Sequence, residues 1–283
     1  MPQPPAPGTM RPVTSFPRER ARALRFLLTD IDDTLTTAGR LGAEAYLALE
    51  RLQQAGIAVI PVTGRPAGWC DMIARLWPVS AVVGENGAFY FRYEHAAHRM
   101  TRRYWLGRSA TDDARGKLNA LADTIVTEVP GVAVSEDQPY RLADLAIDYR
   151  EDVAPLPQAA AERVVAIMEA AGARAKISSI HVNGWFGDFD KLAMTKRLFA
   201  DVFAIDLDHT PEEAAFIGDS PNDAPMFGFF PLSVGVANIR EFSEQLATPP
   251  AFVTARRSGA GFVEFAEMLL ARTTQPSGAL TEA

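Results

Sequence analysis

The 283 residues carry 28 Lys and Arg against 35 Asp and Glu, a formal net charge of −7, which argues against a chain that coats nucleic acid. With 48% hydrophobic residues the chain can bury one large core or two modest ones, and two are expected. The single cysteine, Cys70, excludes an internal disulfide framework and points to a reducing cytoplasm, and no run reaches the roughly 20 apolar residues of a membrane-spanning helix.

Met1 to Pro17 is rich in proline and lacks the apolar centre of a signal peptide, so residues 1–20 read as a disordered or extended arm. Basic residues cluster from Arg18 to Arg25 and again at Arg256-Arg257 without interleaved aromatics, as solvated faces do. Phe26 to Thr29 then reads as an apolar strand that runs straight into carboxylates, Asp30-Ile31-Asp32-Asp33. Residues two apart in extended chain point the same way, so Asp30 and Asp32 are expected to share a pocket beyond the strand end, where open α/β sheets bind ligands.

Glu44 to Gln54 carries Ala45, Ala48, Leu49 and Leu52 on one helical face, and Ile57 to Val62 follows as a buried strand that is already ending at Pro61. Strand, helix, strand implies a right-handed parallel crossover. Thr63-Gly64-Arg65-Pro66 brings a hydroxyl, a glycine that opens backbone N–H groups to an anion and a guanidinium to the same sheet edge, a phosphate grip. A helix over 67–76 contains Cys70, which reads as packing. Strand Ala81 to Val83 leads to Glu85-Asn86-Gly87, equally readable as a hairpin turn or as part of the site.

From about Arg92 the pattern becomes helix (112–126), strand (132–134), strand (145–149), helix (157–171), strand (174–178) and strand (180–183). That is an α+β unit with helices on one face of an antiparallel sheet. In its last strand Ile180 and Val182 are expected to face the helices, with His181 and Asn183 opposite. Those two either meet solvent or close over the pocket of the first unit. A helix over 190–199 holds Lys191 and Lys196, and strand 214–217 ends in a second acidic turn, Gly218-Asp219-Ser220-Pro221-Asn222-Asp223. Strands over 232–237 and 253–254 and a helix over 262–270 complete the chain. The expected division is a core of 21–91 and 185–272, an inserted unit of 92–184 and a flexible tail of 273–283.

If the two acidic turns lie on neighbouring strands, Asp30, Asp32, Asp219 and Asp223 converge, and two carboxylates about 4 Å apart repel by roughly 4 kcal/mol at an effective dielectric near 20. Such a pocket needs a cation. An all-oxygen donor set too sparse to enclose the ion favours hydrated Mg²⁺, and no Cys/His cluster argues for zinc. Carboxylates beside Thr, Arg and Lys suit phosphoryl transfer, in which one aspartate attacks phosphorus and a second, two residues on, acts as acid and then base.

These stretches resemble the four motifs of the haloacid dehalogenase superfamily: Asp30-Ile31-Asp32-Asp33-Thr34, Thr63-Gly64-Arg65, a lysine, and Gly218 to Asp223. The resemblance implies a Rossmann-like parallel core with an inserted cap of the second type, as in subclass IIB, whose members include sucrose-phosphate, trehalose-phosphate, mannosyl-3-phosphoglycerate and Cof-like phosphatases. It implies Asp30 as nucleophile and Asp32 as acid and base. Mg²⁺ would be held by Asp30, the Asp32 carbonyl, Asp219 and Asp223, and phosphate by Thr63, Gly64, Asn222 and the lysine. Lys191 is the preferred lysine and Lys196 the alternative, since Lys191 sets the better apolar phase and Lys196 the more usual spacing to the last motif. Asp33 stands where many relatives have glycine.

Arg65, Glu85, Asn86, His181 and Asn183 are expected to contact the substrate, a small phosphorylated sugar or sugar acid, with no nucleic acid or membrane as partner. The expected activity is a Mg²⁺-dependent phosphomonoesterase. A phosphomutase with the same intermediate and a sugar-phosphate sensor without turnover are the alternatives.

Overall fold

A computed structural model of the chain describes residues 10–273. In chain order the strands and helices are β1 (Arg11–Pro12), α1 (Arg18–Ala23), β2 (Phe26–Thr29), α2 (Ala43–Gln54), β3 (Ala58–Pro61), α3 (Ala67–Leu76), β4 (Val82–Gly84), β5 (Phe89–Glu94), β6 (Arg99–Tyr104), α4 (Arg108–Glu128) and β7 (Ala133–Val134). Then follow β8 (Asp144–Asp148), α5 (Gln158–Ala170), β9 (Arg174–Ile177), β10 (His181–Trp185), α6 (Lys191–Leu198), β11 (Ala214–Gly218), α7 (Ala224–Phe229), β12 (Ser233–Gly235), β13 (Phe252–Val253) and α8 (Ser258–Thr273).

Six strands form one all-parallel sheet in the order β1-β13-β12-β11-β2-β3. Successive residues of β2 alternate between its faces: Leu27 packs with α2 and α8 through Leu49, Leu52, Phe262 and Phe265, and Phe26 and Leu28 pack with α6 and α7 through Leu198, Phe199 and Phe227. Helices on both faces explain why all four residues of β2 are buried. β2 lies between β11 and β3, whose loops carry the second acidic turn and Thr63-Gly64-Arg65.

The arm expected over 1–20 needs correction from Met10 onward. Arg11–Pro12 adds a parallel strand beside β13, and Val13 and Phe16 are buried, the Phe16 ring 4.9 Å from that of Phe252 and 5.3 Å from that of Phe265. Two well-spaced apolar side chains dock this segment despite its prolines. Residues 1–9, and all but the start of the tail expected over 273–283, lie outside the described residues.

The expected division at Arg92 cuts through β5. That strand and β6 extend β4 as an antiparallel hairpin, and β4 is tied to the main sheet by a parallel bridge between Val62 and Val83. Only after Tyr104 does the chain enter the second sheet, β7-β8-β10-β9, antiparallel throughout. One face of that sheet packs on α4 and α5: Leu145, Ile147 and Val182 meet Leu118, Leu121, Ile125, Val164 and Met168. The opposite face carries Asp148, His181, Asn183, Lys176 and Trp185, and it looks toward the carboxyl ends of the parallel strands. Ile180 does not join the helices as expected; it precedes β10 and lines the cleft. The architecture is thus an α/β parallel-sheet core with an α+β cap inserted into it. Among the described residues no helix is long and apolar enough to cross a membrane.

Candidate active site

Three loops at the carboxyl ends of β2, β3 and β11 build the centre. β2 and β11 run in register, Thr29 beside Ile217, and the Asp30 amide donates to the Ile217 carbonyl at 2.9 Å, so the two acidic turns emerge side by side. Carboxylate oxygens of Asp30, Asp219 and Asp223 all lie within 4.8 Å of one another, each buried. The turn is drawn so tight that a Cβ on Gly218 would sit 2.3 Å from Asp223 Oδ2, which excludes any side chain there.

Lys191, the first residue of α6, reaches in from the far side. Its Nζ donates to Asp30 Oδ1 and Asp223 Oδ1, both at 2.8 Å. Burial works against its charge, but the Asp223 and Asp30 carboxylates hold its pKa above the ordinary lysine value. Lys196, by contrast, points outward and pairs with Asp208 at 2.5 Å. The residue with the better apolar phase is the one in the cluster.

Burial, followed by the charges of Asp223 and Asp32, pushes the Asp30 carboxyl up to about 7 even with Lys191 pulling it down. Burial and the neighbouring Asp30 and Asp223 raise Asp219 well above the carboxylate range. Were all three carboxylates ionised, the one ammonium would leave two negative charges in excess, and at 4.8 Å each carboxylate pair would cost roughly 3.5 kcal/mol at an effective dielectric near 20; the raised carboxyls express that cost. That donor set, hard oxygens with a surplus of negative charge, fits a divalent cation of the Mg²⁺ type. Asp219 is further fixed by Thr34 Oγ1 (3.4 Å) and Asn238 Nδ2 (3.2 Å), and Asn238 Nδ2 also donates to the Asp33 carbonyl (3.1 Å). Asp33 adopts φ +53°, the left-handed conformation that explains why glycine suits this position and why aspartate is tolerated.

The carboxylate of Asp32 turns away from this cluster. It receives Arg65 Nε at 3.0 Å and Nη2 at 2.8 Å, while the same guanidinium donates to Glu151 of the cap at 2.7 and 3.2 Å and stacks on Trp69. Arg65 thus joins the two units across the cleft. Glu151 also meets His181 Nε2 at 2.9 Å. Burial would raise its carboxyl, yet the hydrogen bonds from His181 and Arg65 and the Arg65 charge bring it down to about 2. Thr63 is fully buried at the end of β3, its Oγ1 accepting the Arg65 amide.

His181 and Asn183 are buried on the face opposite Val182, over the pocket and not in solvent. Asn183 Nδ2 donates to Asp144 at 3.0 Å, and His181 Nε2 lies 3.2 Å from Ser135 Oγ. Asn222 accepts from Ser220 Oγ at 2.8 Å and lines the cleft.

Glu85 takes a different place from the substrate contact expected of it. Its carboxylate accepts the amides of Ala67, Leu142, Ala143 and Asp144, a buried anchor that ties the cap segment to the loop after β3. Arg141 reinforces that tie by donating to the Gly64 carbonyl at 2.8 Å while pairing with Asp137 and Asp144.

The sequence reading missed Glu151, Arg141, Asp144 and Asn238. Asp144 and Asp148 had a signal, two carboxylates at strand period on the face opposite Leu145 and Ile147. Arg141, Glu151 and Asn238 lie in loops whose partners are distant in sequence. Between cap and core the cleft over Asp30 and Asp32 encloses only about 20 Å³, roofed by Ser178, Ser179 and Ile180, room for about one water. This is a closed arrangement.

A parallel sheet with paired acidic loops, covered by an inserted antiparallel cap, is the haloacid dehalogenase-type fold. Residues 27–104 match the family model of haloacid dehalogenase-like hydrolases, which bears out the resemblance read from the motifs. No curated protein matches the chain in sequence. Among solved structures it is similar to the C-terminal domain of the C. albicans trehalose-6-phosphate phosphatase, with TM-score 0.67, 13% identity and coverage of 94% of this chain and 99% of that one. It is also similar to a Thermoplasma acidophilum protein (0.65, 18%, 87% and 98%). A third is the Synechocystis sucrose-phosphatase in complex with sucrose and phosphate (0.59, 15%, 88% and 98%).

Proposed function

We propose that this haloacid dehalogenase-like hydrolase is a Mg²⁺-dependent phosphomonoesterase acting on a small sugar phosphate or sugar-acid phosphate. The observation that carries the reading is the Asp30 carboxylate held at 2.8 Å by Lys191 inside a cluster with Asp219 and Asp223, beneath a cap. An acidic pocket alone would suit any cation. One that also holds a buried lysine against the first carboxylate, beside Thr63 and Gly64, suits a tetrahedral oxyanion. The names of the sucrose and trehalose-6-phosphate phosphatases of like fold support sugar phosphates as the class to test.

In this mechanism an Asp30 oxygen attacks phosphorus, the P–O bond to the alcohol breaks and an aspartyl-phosphate forms. The Asp32 carboxyl gives its proton to the departing alkoxide. It then takes one from the water that attacks the aspartyl-phosphate, releasing inorganic phosphate and restoring Asp30. Lys191, Thr63, Asn222 and the backbone at Gly64 hold phosphoryl oxygens. Asp30, Asp219, Asp223 and the Asp32 carbonyl would hold Mg²⁺, which supplies neutralising charge to the carboxylates and the phosphoryl group. Arg65 keeps the Asp32 carboxylate on the cleft side, and the closed cap excludes bulk water.

The test is phosphate release from a panel of sugar phosphates with Mg²⁺ or with EDTA, for the native chain and Asp30→Asn. Mg²⁺-dependent release that is lost in the variant is expected. Full activity in Asp30→Asn would sink the mechanism, and phosphate retained on the protein with dependence on a bisphosphate activator would assign the mutase instead. Binding without any release would assign the sensor.

A further inference from the structure

The two linkers that carry the cap border a cavity of about 420 Å³ that shares no lining residue with the cleft over Asp30 and Asp32. Ala88 and Tyr104 come to it from the core, Leu142 and Ala143 from the cap, and Leu106 and Phe189 from the linkers themselves. The linkers meet here: a Cβ on Gly187, at φ +129°, would lie 3.0 Å from the Phe189 ring and 3.3 Å from Leu106. Because its walls belong to both units, the cavity has this shape only while the cap sits as it does. A rotation about the linkers would change it. The polar part of the lining comes from one turn of α4. Thr111 gives its hydroxyl proton to the Gly107 carbonyl at 3.2 Å. Asp112 and Arg115 also line the cavity and are exposed; three residues apart, they are neighbours on the helix surface with Cβ atoms about 5–6 Å apart. Neither makes an ion pair or side-chain hydrogen bond, with the other or with any described residue.

An apolar lining beside one unpaired carboxylate and one unpaired guanidinium is the complement of a small zwitterion with an apolar side chain. A sugar phosphate carries its charge in the wrong pattern, since its anion would meet Asp112 and its hydroxyls the apolar lining. The cavity also backs onto the residues that set the phosphoryl site. The Phe189 ring stacks on Trp185 at 5.6 Å, and the Phe189 carbonyl accepts Trp185 Nε1 at 3.2 Å. Asp190 follows, capping α6 through the Ala193 amide, and then comes Lys191. Residues 86–88 run alongside. Asn86, whose buried Nδ2 has no hydrogen-bond partner among the described residues, stands beside Lys191. Gly87 packs against the Asp190 carbonyl with no room for a Cβ, and Ala88 lines the cavity. A ligand that fills this space braces the segment that delivers Lys191.

We propose that this cavity binds a free apolar amino acid, its carboxylate on Arg115, its ammonium on Asp112 and its side chain among Tyr104, Leu106 and Phe189, and that the bound amino acid holds the cap closed. The cleft beneath the closed cap has room for about one water, so a phosphate ester enters only when the cap moves away. A ligand that fits the closed form alone opposes that movement, because it shifts the equilibrium by its differential affinity for the two forms. The effect on turnover rests on the phosphatase reading; the binding site does not.

Calorimetry on the native chain measures the binding of phenylalanine against phenylpropanoate and phenethylamine, each of which lacks one of its two charged groups. Phenylalanine is expected to bind about tenfold more tightly than either, the worth of one charge-assisted hydrogen bond. In Arg115→Gln phenylalanine should weaken about tenfold while phenethylamine is unchanged, and in Asp112→Asn phenylalanine should weaken while phenylpropanoate is unchanged. Both positions are exposed, so both variants fold. No binding, equal affinities for the three compounds, or binding indifferent to both substitutions overturns the site. At a phenylalanine concentration equal to its native Kd, phosphate release should fall by about half in the native chain and by about a tenth in Arg115→Gln, as the two occupancies require. Release that does not fall in the native chain, or falls equally in Arg115→Gln, overturns the hold on the cap. Binding that depends on Arg115 in a chain that hydrolyses no ester leaves the site standing and removes the hydrolase reading.

Discussion

Replacing Glu151 by glutamine keeps the side-chain shape and removes one charge from the bridge between cap and core. In the folded chain this carboxyl is held at about 2 against an ordinary 4.5, a gap worth about 3.4 kcal/mol at 1.36 kcal/mol per unit. A quarter of the side chain is exposed, so solvent screening reduces this to on the order of 2 kcal/mol. Because the folded value lies below the unfolded one, that stability is fully present above about pH 4.5 and is lost as the pH falls toward 2. Urea unfolding of the native chain and Glu151→Gln from pH 7 down to pH 3 reads it directly. The two chains should differ by about 2 kcal/mol at pH 7 and converge below pH 4.5. A difference that stays constant across that range, or none at pH 7, would refute the claim that Arg65 and His181 bind the ionised form of Glu151 in preference to the neutral one.

Lys191→Met leaves three buried carboxylates without their ammonium, and should cost about 3–5 kcal/mol. Thermal unfolding checks this, and Mg²⁺ should restore part of the loss. Mg²⁺ at a hundred times its Kd should stabilise the native chain by about 2.7 kcal/mol, an effect expected to vanish in Asp219→Asn; a rise in Tm that persists there would place the cation elsewhere. Asp30→Asn should bring phosphate release to background while circular dichroism and cooperative unfolding remain native.

The sequence alone determined a good deal of this protein. The apolar runs at Phe26–Thr29 and Ala214–Ile217, each ending in carboxylates, gave the strands and the motifs, because a parallel strand buried on both faces reads as continuous hydrophobic residues. The alternation in Leu145, Ile147 and Tyr149 and the stripes of α2 and α5 located the antiparallel unit and its helices, since side-chain period is a local property. It also left Lys191 and Lys196 open, a choice that depends on which way one helix turns its first residue. Tertiary structure decided that, and decided which strands lie side by side so that Asp30 and Asp219 meet. It decided as well that Val13 and Phe16 dock the amino-terminal segment, that Glu85 anchors the cap through the amides of Leu142, Ala143 and Asp144, and that Arg65 reaches from Asp32 to Glu151. In each case the partners come from segments far apart in the chain, and nothing in their own neighbourhood signals the contact. An unpaired amide such as that of Asn86 is invisible in sequence for the same reason: whether a polar group is satisfied is a property of everything that surrounds it, and only the folded chain supplies those surroundings.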